Sequence, residues 1–190
     1  GCISDIPKTR FHNFPDNKTS MLFWGRINFV KATSFFYYQK HCPYSFLLHK
    51  LKYRKKKEIG IELGEHFGVE LKKSGFSADI DFLVPIPLHW KREKKRGYNQ
   101  SEMIAIGISN VTGIPINTKL LFRHKHNLSQ TTKNKKERWG NVEDIFTVSK
   151  IDINGKHLLL IDDVVTTGST IEASANCILK NKNVSLSIAT

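Results

Sequence analysis

The sequence predicts an α/β fold, a parallel sheet flanked by helices, and three observations carry that prediction. The run His157-Leu158-Leu159-Leu160-Ile161 is short and wholly apolar after its first residue, as suits a strand covered on both faces. From Asp81 onward, strand-like and helix-like segments alternate. Directly after the apolar run, Asp162-Asp163-Val164-Val165-Thr166-Thr167-Gly168-Ser169-Thr170 turns from that strand into a helix. Parallel sheets of this kind place ligands at the carboxyl ends of their strands.

In chain order, residues 1–25 read as irregular, with turns marked by Pro7, Pro15, Asp16 and Asn17. Arg26 to Gln39 is β-branched and aromatic, and Phe35-Phe36-Tyr37-Tyr38 reads as strand. A basic amphipathic helix is expected from about Ser45, with Leu47, Leu48, Leu51, Ile59, Leu63 and Phe67 near helical spacing. Gly60, Gly64 and Gly68 either weaken its second half or permit close packing. Phe82–Ile86 reads as a strand and Lys91–Arg96 as a basic loop. A helix over Asn99–Val111 and a short strand over Leu120–Arg123 follow. After a polar stretch over Leu128–Val142 come the apolar strand, a helix starting at Ser169 or Thr170, and a last strand over Val184–Ala189. The division this suggests is 1–20 as a linker, 21–80 as a basic helical region and 81–190 as the α/β core.

The chain has 190 residues, 39% hydrophobic and 25% charged, which is ordinary for a soluble globular protein. No apolar run approaches the roughly 20 residues needed to span a bilayer, so no membrane segment is expected. Three cysteines, Cys2, Cys42 and Cys177, lie too far apart for a disulfide framework, which favours a cytoplasmic location. No metal site can be built from them alone, and Cys177 is expected in the core. The net charge of +13 points to anionic ligands or partners, phosphates or nucleic acid. Basic residues cluster at Lys50–Lys57, Lys91–Arg96, Arg123–His126 and Lys133–Arg138, although a charge run can equally be a solvated face.

The strand–turn–helix at 157–170 carries the chemistry. A helix N-terminus offers unpaired backbone N–H groups, and its dipole favours an anion there. Gly168 permits close backbone approach, and Thr167, Ser169 and Thr170 add hydroxyl donors. Two carboxylates cannot bind phosphate, but they suit ribose hydroxyls or a divalent cation accompanying pyrophosphate. The plainer alternative is a capped helix with a solvated Asp pair. Strand, Asp pair and helix in register favour the phosphate site.

This stretch resembles the phosphoribosyl-pyrophosphate (PRPP) motif of type I phosphoribosyltransferases. The resemblance implies that Asp162 and Asp163 take the ribose hydroxyls and that Thr166 to Thr170 cradle the 5-phosphate, with Val164 and Val165 between them. A second stretch, Val84 to Gln100 (VPIPLHWKREKKRGYNQ), continues as SEMIA and is similar to the VPVPLHxxRxxxRGFNQAExLA pattern of the ComF family, competence-associated phosphoribosyltransferase-like proteins. Leu48–Tyr53 resembles that family's helical KY segment. Gln130 to Val142, with Gln130, Arg138, Asn141 and Val142, resembles its Q…R…NV loop.

By that resemblance, Pro87, Leu88, His89, Trp90, Lys91 and Arg92 form a pyrophosphate loop, and Arg96, Gly97, Tyr98, Asn99 and Gln100 a further motif. Asn127 to Arg138 would be a lid. Arg123, Lys135 and Arg138 would join Asp162 and Asp163 as catalytic residues. The resemblance further implies Mg²⁺ bound with PRPP, an unidentified nitrogen acceptor selected by a hood within residues 20–80, and a link to DNA uptake. A non-catalytic sensor of PRPP or nucleotides, or a protein binding single-stranded DNA or a DNA-uptake helicase through Lys50, Lys52 and Arg54–Lys57, is the alternative. Cys2 resembles the last ligand of the family's N-terminal zinc module, so Zn²⁺ is expected only in a longer protein, and the natural start is expected upstream of Gly1.

Overall fold

A computed structural model describes residues 6–37, 51, 56–124 and 145–190. Within these the strands are β1 (Ala32–Thr33), β2 (Phe82–Pro85), β3 (Leu121–Arg123), β4 (Phe146–Val148), β5 (His157–Ile161) and β6 (Ser185–Ala189). The helices are α1 (Lys18–Phe23), α2 (Lys57–Lys73), α3 (Trp90–Arg96), α4 (Gln100–Thr112) and α5 (Ser169–Asn181). A parallel sheet runs in the order β1-β6-β5-β2, and β5 is hydrogen-bonded along its whole length to β6 and over Leu158–Ile161 to β2. All five residues of β5 are buried, as its unbroken apolar run requires.

Because side chains alternate along a strand, β5 divides its residues between two cores. Leu159 and Ile161 join Leu63, Phe67 and Leu71 of α2 and Ile104 and Ile108 of α4 on one face. Leu158 and Leu160 join Ile171, Ala175 and Ile178 of α5 on the other. The sheet is thus sandwiched between α2/α4 and α5, a layered α/β architecture of the predicted kind.

The α2–α4 contact explains the glycine spacing in α2. A Cβ at Gly64 would lie 2.2 Å from the Ile104 carbonyl oxygen, and one at Gly107 only 2.0 Å from the Ile61 carbonyl oxygen. The two backbones touch directly, so the glycines permit close packing. Gly107→Ala forces backbone against backbone and should cost about 1–3 kcal/mol. A lowered urea midpoint checks this, and an unchanged midpoint would contradict the contact.

Several elements differ from the sequence expectation. Leu121–Arg123 forms a strand, but it pairs antiparallel with Phe146–Val148 in a separate two-stranded sheet. Of the strand expected over Phe35–Tyr38, Tyr38 lies outside the described residues, and the described strand lies earlier, at Ala32–Thr33. Phe36 makes only an isolated antiparallel bridge to Lys8. The basic loop Lys91–Arg96 is a helix, α3, capped by His89 and ended by Gly97 at φ +87°. Of the basic helix expected from Ser45, the described part is Leu51 and α2. Cys177 is half-buried rather than central, and burial pushes its thiol pKa up.

The amino-terminal segment also holds more structure than its turn residues suggest. Asn17 caps α1, its Oδ1 accepting from Thr19 N and Ser20 N. Its amide donates to Phe14 O, Phe11 O and, at 2.8 Å, Ala32 O of β1. This one buried side chain fastens the segment to the sheet edge.

Residues 8–12 are further pinned to α2. Lys8 Nζ lies 2.8 Å from Glu70 Oε1 and His12 Nε2 lies 3.6 Å from Glu70 Oε2. At the opposite end of the sheet from the PRPP-like loop, His157 bridges Asp79 (3.1 Å) and Ser187 (2.8 Å). Ser187 is fully buried in β6, so this Asp–His–Ser row is a structural tie with no access for a substrate.

Burial lowers the His12 pKa from its ordinary 6.5, and the Glu70 carboxylate only partly opposes this. The folded protein therefore resists a proton that the unfolded chain accepts. Stability should be full above pH 6.5 and decline as pH falls below it. Glu70 is held below 4.5, chiefly by the Lys8 hydrogen bond, so a second loss should follow at more acid pH. Denaturant titrations of wild type and His12→Gln across pH 7.5 to 5 check this. The variant should lack the first decline, and parallel profiles would refute the role of His12.

Candidate functional site

The site forms where β2 and β5 end. Asp162 follows β5 directly, its N–H bound to Ala189 O at 3.2 Å. Asp162 Oδ1 accepts from Ser101 Oγ (3.2 Å) and from Asp163 N (3.0 Å), which orients the carboxylate. Val164 and Val165 carry the chain outward, and Thr166 and Thr167 are exposed. Gly168 stands at the N-cap of α5 with φ +76°, and Ser169 and Thr170 form the first turn. Thr167 Oγ1 and Ser169 Oγ are hydrogen-bonded at 2.9 Å, so the hydroxyls gather at the open helix end. Amides, hydroxyls and the α5 dipole suit one anion there.

Gly168 is needed twice over. Its φ lies in the left-handed region, and an added Cβ would meet Phe23 Cε1 at 2.6 Å. The close neighbour is the protein's own α1. Arg26, just past α1, completes the support: its Nη1 donates to Thr167 O (2.9 Å) and Leu22 O (3.0 Å), and its Nη2 pairs with Glu172 of α5 at 2.5 Å. Thus residues 22–26 brace the loop from behind.

The second wall comes from the exit of β2. Ile86 N bonds to Ile161 O at 2.9 Å, placing Pro87–His89 beside the end of β5. The predicted pyrophosphate loop is therefore a loop only over Pro87, Leu88 and His89. Trp90, Lys91 and Arg92 are the first turn of α3, because the buried His89 ring accepts from Lys91 N and caps that helix. Trp90 is 58% exposed with the Lys91 ammonium 5.4 Å from its ring centroid.

The RGYNQ stretch is the corner between α3 and α4. Gly97 ends α3, Tyr98 donates its hydroxyl to Leu51 O, and Arg96 bonds to Gln100 Oε1 at 2.7 Å. Asn99 caps α4 with its oxygen and binds Ile86 O with its amide at 3.0 Å. These residues hold the wall in place.

Arg123, at the end of β3, reaches the same place. Its guanidinium pKa is lowered, first by burial and then by the nearby Arg92 cation, while Asp162 partly opposes the shift. Positive charge at these two positions beside Asp162 favours an anionic ligand. Of the predicted catalytic residues, Asp162, Asp163 and Arg123 come together. Lys135, Arg138, Gln130 and the expected lid lie outside the described residues, as does Cys2.

On the other side of the loop is a cleft of about 310 Å³ that sequence reading missed. Asp163, Val164, Val165 and Thr166 form one wall, and Thr190 follows β6 into it. The opposite wall is Thr9, Phe11, Lys18, Thr19, Ser34 and Tyr37, from the segment expected to be a linker and from the exit of β1. Ser101 and Arg26 were missed as well, since a single Ser or Arg carries no spacing signal.

A parallel α/β sheet with a sugar-phosphate-type loop after one strand and an arginine-bearing wall after its neighbour defines a phosphoribosyltransferase-like protein. The phosphoribosyl transferase domain family matches residues 88–190, more than half of the chain, and the chain belongs to it. Within it, this is a protein of the ComF family.

The chain is 28% identical over 142 residues to DNA utilization protein YhgH of Escherichia coli (strain K12) and 27% identical over 143 residues to Competence protein F of Haemophilus influenzae. Each alignment covers 73% of this chain and 62% of the relative. It is 37% identical over 106 residues to Competence protein ComFC of Bacillus subtilis, covering 55% of this chain and 41% of that one. The chain therefore spans less than two thirds of the length of these curated relatives. Among the described residues, no helix is long and apolar enough to cross a membrane.

Gly168→Ala should cost about 1–3 kcal/mol through its backbone conformation alone, with the Phe23 clash in addition. Thermal unfolding and phosphate-ester affinity should fall together, and an unchanged melting temperature would show that the loop does not need this geometry.

Proposed function

We propose that the protein binds PRPP with Mg²⁺ and transfers its phosphoribosyl group to a nitrogen acceptor. The observation that carries this reading is the Asp162–Asp163 pair at the end of the buried β5, leading directly into the Gly168 N-cap of α5. In this reading the amides and hydroxyls of Thr166–Thr170 hold the 5-phosphate, and Asp162 and Asp163 accept from the ribose hydroxyls. Arg92 and Arg123, with the Pro87–His89 loop, receive the pyrophosphate. Lys135, Arg138 and Gln130 of the lid would add to them when it closes.

The reaction needs no covalent nucleophile. The C1–oxygen bond loosens, positive charge grows on the ribose, and the Asp pair stabilises it while the arginines stabilise the departing pyrophosphate. Two carboxylates are too few to cage a metal, but they suit Mg²⁺ carried on the oxygens of PRPP, an ion that keeps its octahedron largely with ligand and water. Mg²⁺ would neutralise charge on the pyrophosphate. Zinc has no part in this reading.

A second reading has its own observation. Trp90 and its neighbours make α3 a basic helix with an exposed aromatic ring, the chemistry that stacks and neutralises single-stranded DNA. The relatives named for competence and DNA utilization are in keeping with a role near DNA uptake, through DNA itself or a DNA-uptake helicase, with or without catalysis. The protein would then act as a sensor or binder in the cytoplasm.

Calorimetric titration of PRPP with Mg²⁺ should give binding that Asp162→Asn/Asp163→Asn weakens at least about tenfold, the scale of one hydrogen bond to a charged group. Unchanged affinity in the double variant would sink the assignment. Oligo-dT binding that falls steeply with salt and ignores the Asp pair, with no PRPP binding at all, would favour the second reading.

A further inference from the structure

We infer that Arg26 is a positioning residue for phosphate binding: by holding the Thr167 carbonyl it turns the Gly168 N–H toward the anion. This rests on the phosphoribosyl-transfer reading above only through its 5-phosphate. Arg26 Nη1 donates to Thr167 O at 2.9 Å and to Leu22 O of α1 at 3.0 Å. Both hydrogens of that nitrogen are therefore engaged by carbonyls, and Nη2 pairs with Glu172 of α5. The guanidinium has its charge balanced and its fork occupied. It acts through the peptide and not as a ligand to the phosphate.

The direction follows from peptide geometry. No cis peptide occurs among the described residues, so the Thr167 carbonyl and the Gly168 N–H point to opposite sides of the peptide they share. One nitrogen draws the Thr167 and Leu22 carbonyls together, which puts the Thr167 oxygen on the α1 side of the loop. The Gly168 N–H therefore points away from α1. Among the described residues this N–H has no hydrogen-bond partner, although Gly168 is buried. A buried N–H left unpaired is rare in native proteins, and a bound anion satisfies it.

The same glycine makes Arg26 necessary. Glycine tolerates either sign of φ, so the peptide before it can flip with little steric penalty. Flipped, it would present the Thr167 oxygen to the phosphate, replacing a donor with lone pairs that repel the anion. No stiffer residue can stand at 168, because its φ is +76° and Phe23 Cε1 lies 2.6 Å from where a Cβ would go. The bias must come from outside the loop. Arg26 supplies it from an α1 that Asn17 ties to β1. Its pairing with Glu172 has a second consequence, since Glu172 lies in the first turn of α5, where an unpaired carboxylate opposes an incoming anion.

The test uses ribose 5-phosphate as the probe, followed by calorimetry and by amide nitrogen–proton NMR spectra. On binding to the wild type, the Gly168 amide proton should move downfield together with those of Ser169 and Thr170. Arg26→Met keeps the apolar stem and removes every donor. It should lower ribose 5-phosphate affinity at least about tenfold and abolish the Gly168 response, with amide positions remote from the loop unchanged. Arg26→Met/Glu172→Gln removes the unpaired carboxylate that the single variant leaves behind, and should remain at least about tenfold weaker than the wild type.

Wild-type binding in which Ser169 and Thr170 respond and Gly168 does not would overturn the inference, whether or not the variants fold. Recovery of wild-type affinity in the double variant would assign the loss to Glu172, and unchanged affinity in Arg26→Met would remove the role of Arg26. Each of these overturns the inference and leaves the phosphate site standing. Absence of ribose 5-phosphate binding in the wild type would overturn the 5-phosphate reading and this inference with it.

Discussion

The rest of the structure depends on the double burial of β5. A strand hydrogen-bonded on both edges and covered on both faces cannot shift register without moving every side chain to the wrong core. Its end is therefore a fixed point, and the adjacent carboxylates Asp162 and Asp163 stand there. The ties that converge on this point come from remote parts of the chain. Ile86 N binds Ile161 O, Ala189 O takes the Asp162 N–H, and Ser101 Oγ meets Asp162 Oδ1. The carboxylate is oriented before any ligand arrives, the condition for electrostatic stabilisation without reorganisation.

The phosphate-type loop is the opposite case. Outside secondary structure, its shape is set by what packs behind it. Phe23 fills the space that a Cβ at residue 168 would need, and Arg26 draws in the Thr167 carbonyl and Glu172. Asn17 in turn fixes α1 to β1. The amino-terminal segment is thus a structural partner of the loop, although more than a hundred residues of sequence separate Arg26 from Thr167. The described parts of 1–80 build both sheet edge and site.

Legibility followed the range of the forces involved. β5, α5, α4 and β6 were readable almost to the residue, because apolar runs, helical periods and cap residues are local signals. The candidate loop at 162–170 was readable for the same reason. Leu121–Arg123 was found, but its antiparallel partner Phe146–Val148 is a three-residue strand without a pattern of its own. α3 escaped because WKREKKR has no apolar stripe, and its helix is set by the His89 cap and the Gly97 stop. The cleft was invisible because Thr9, Thr19, Ser34 and Thr190 meet only after the sheet edge forms. No spacing encodes that meeting.

The charge excess gains a more specific meaning from this arrangement. A net charge of +13 spread evenly would only attract anions in general. Burial first, and then the Arg92 cation, lowers the Arg123 pKa, and Asp162 partly opposes the shift. Across β5, the cleft presents hydroxyls and aromatic edges with one exposed lysine. The carboxylate pair after β5 thus stands between Arg92, which follows β2, and a cleft whose charged lining is Lys18 and Asp163. In the phosphoribosyl-transfer reading proposed above, pyrophosphate departs toward the arginines and the ribose carbon is transferred away from them, because that side can stabilise an anion as it leaves.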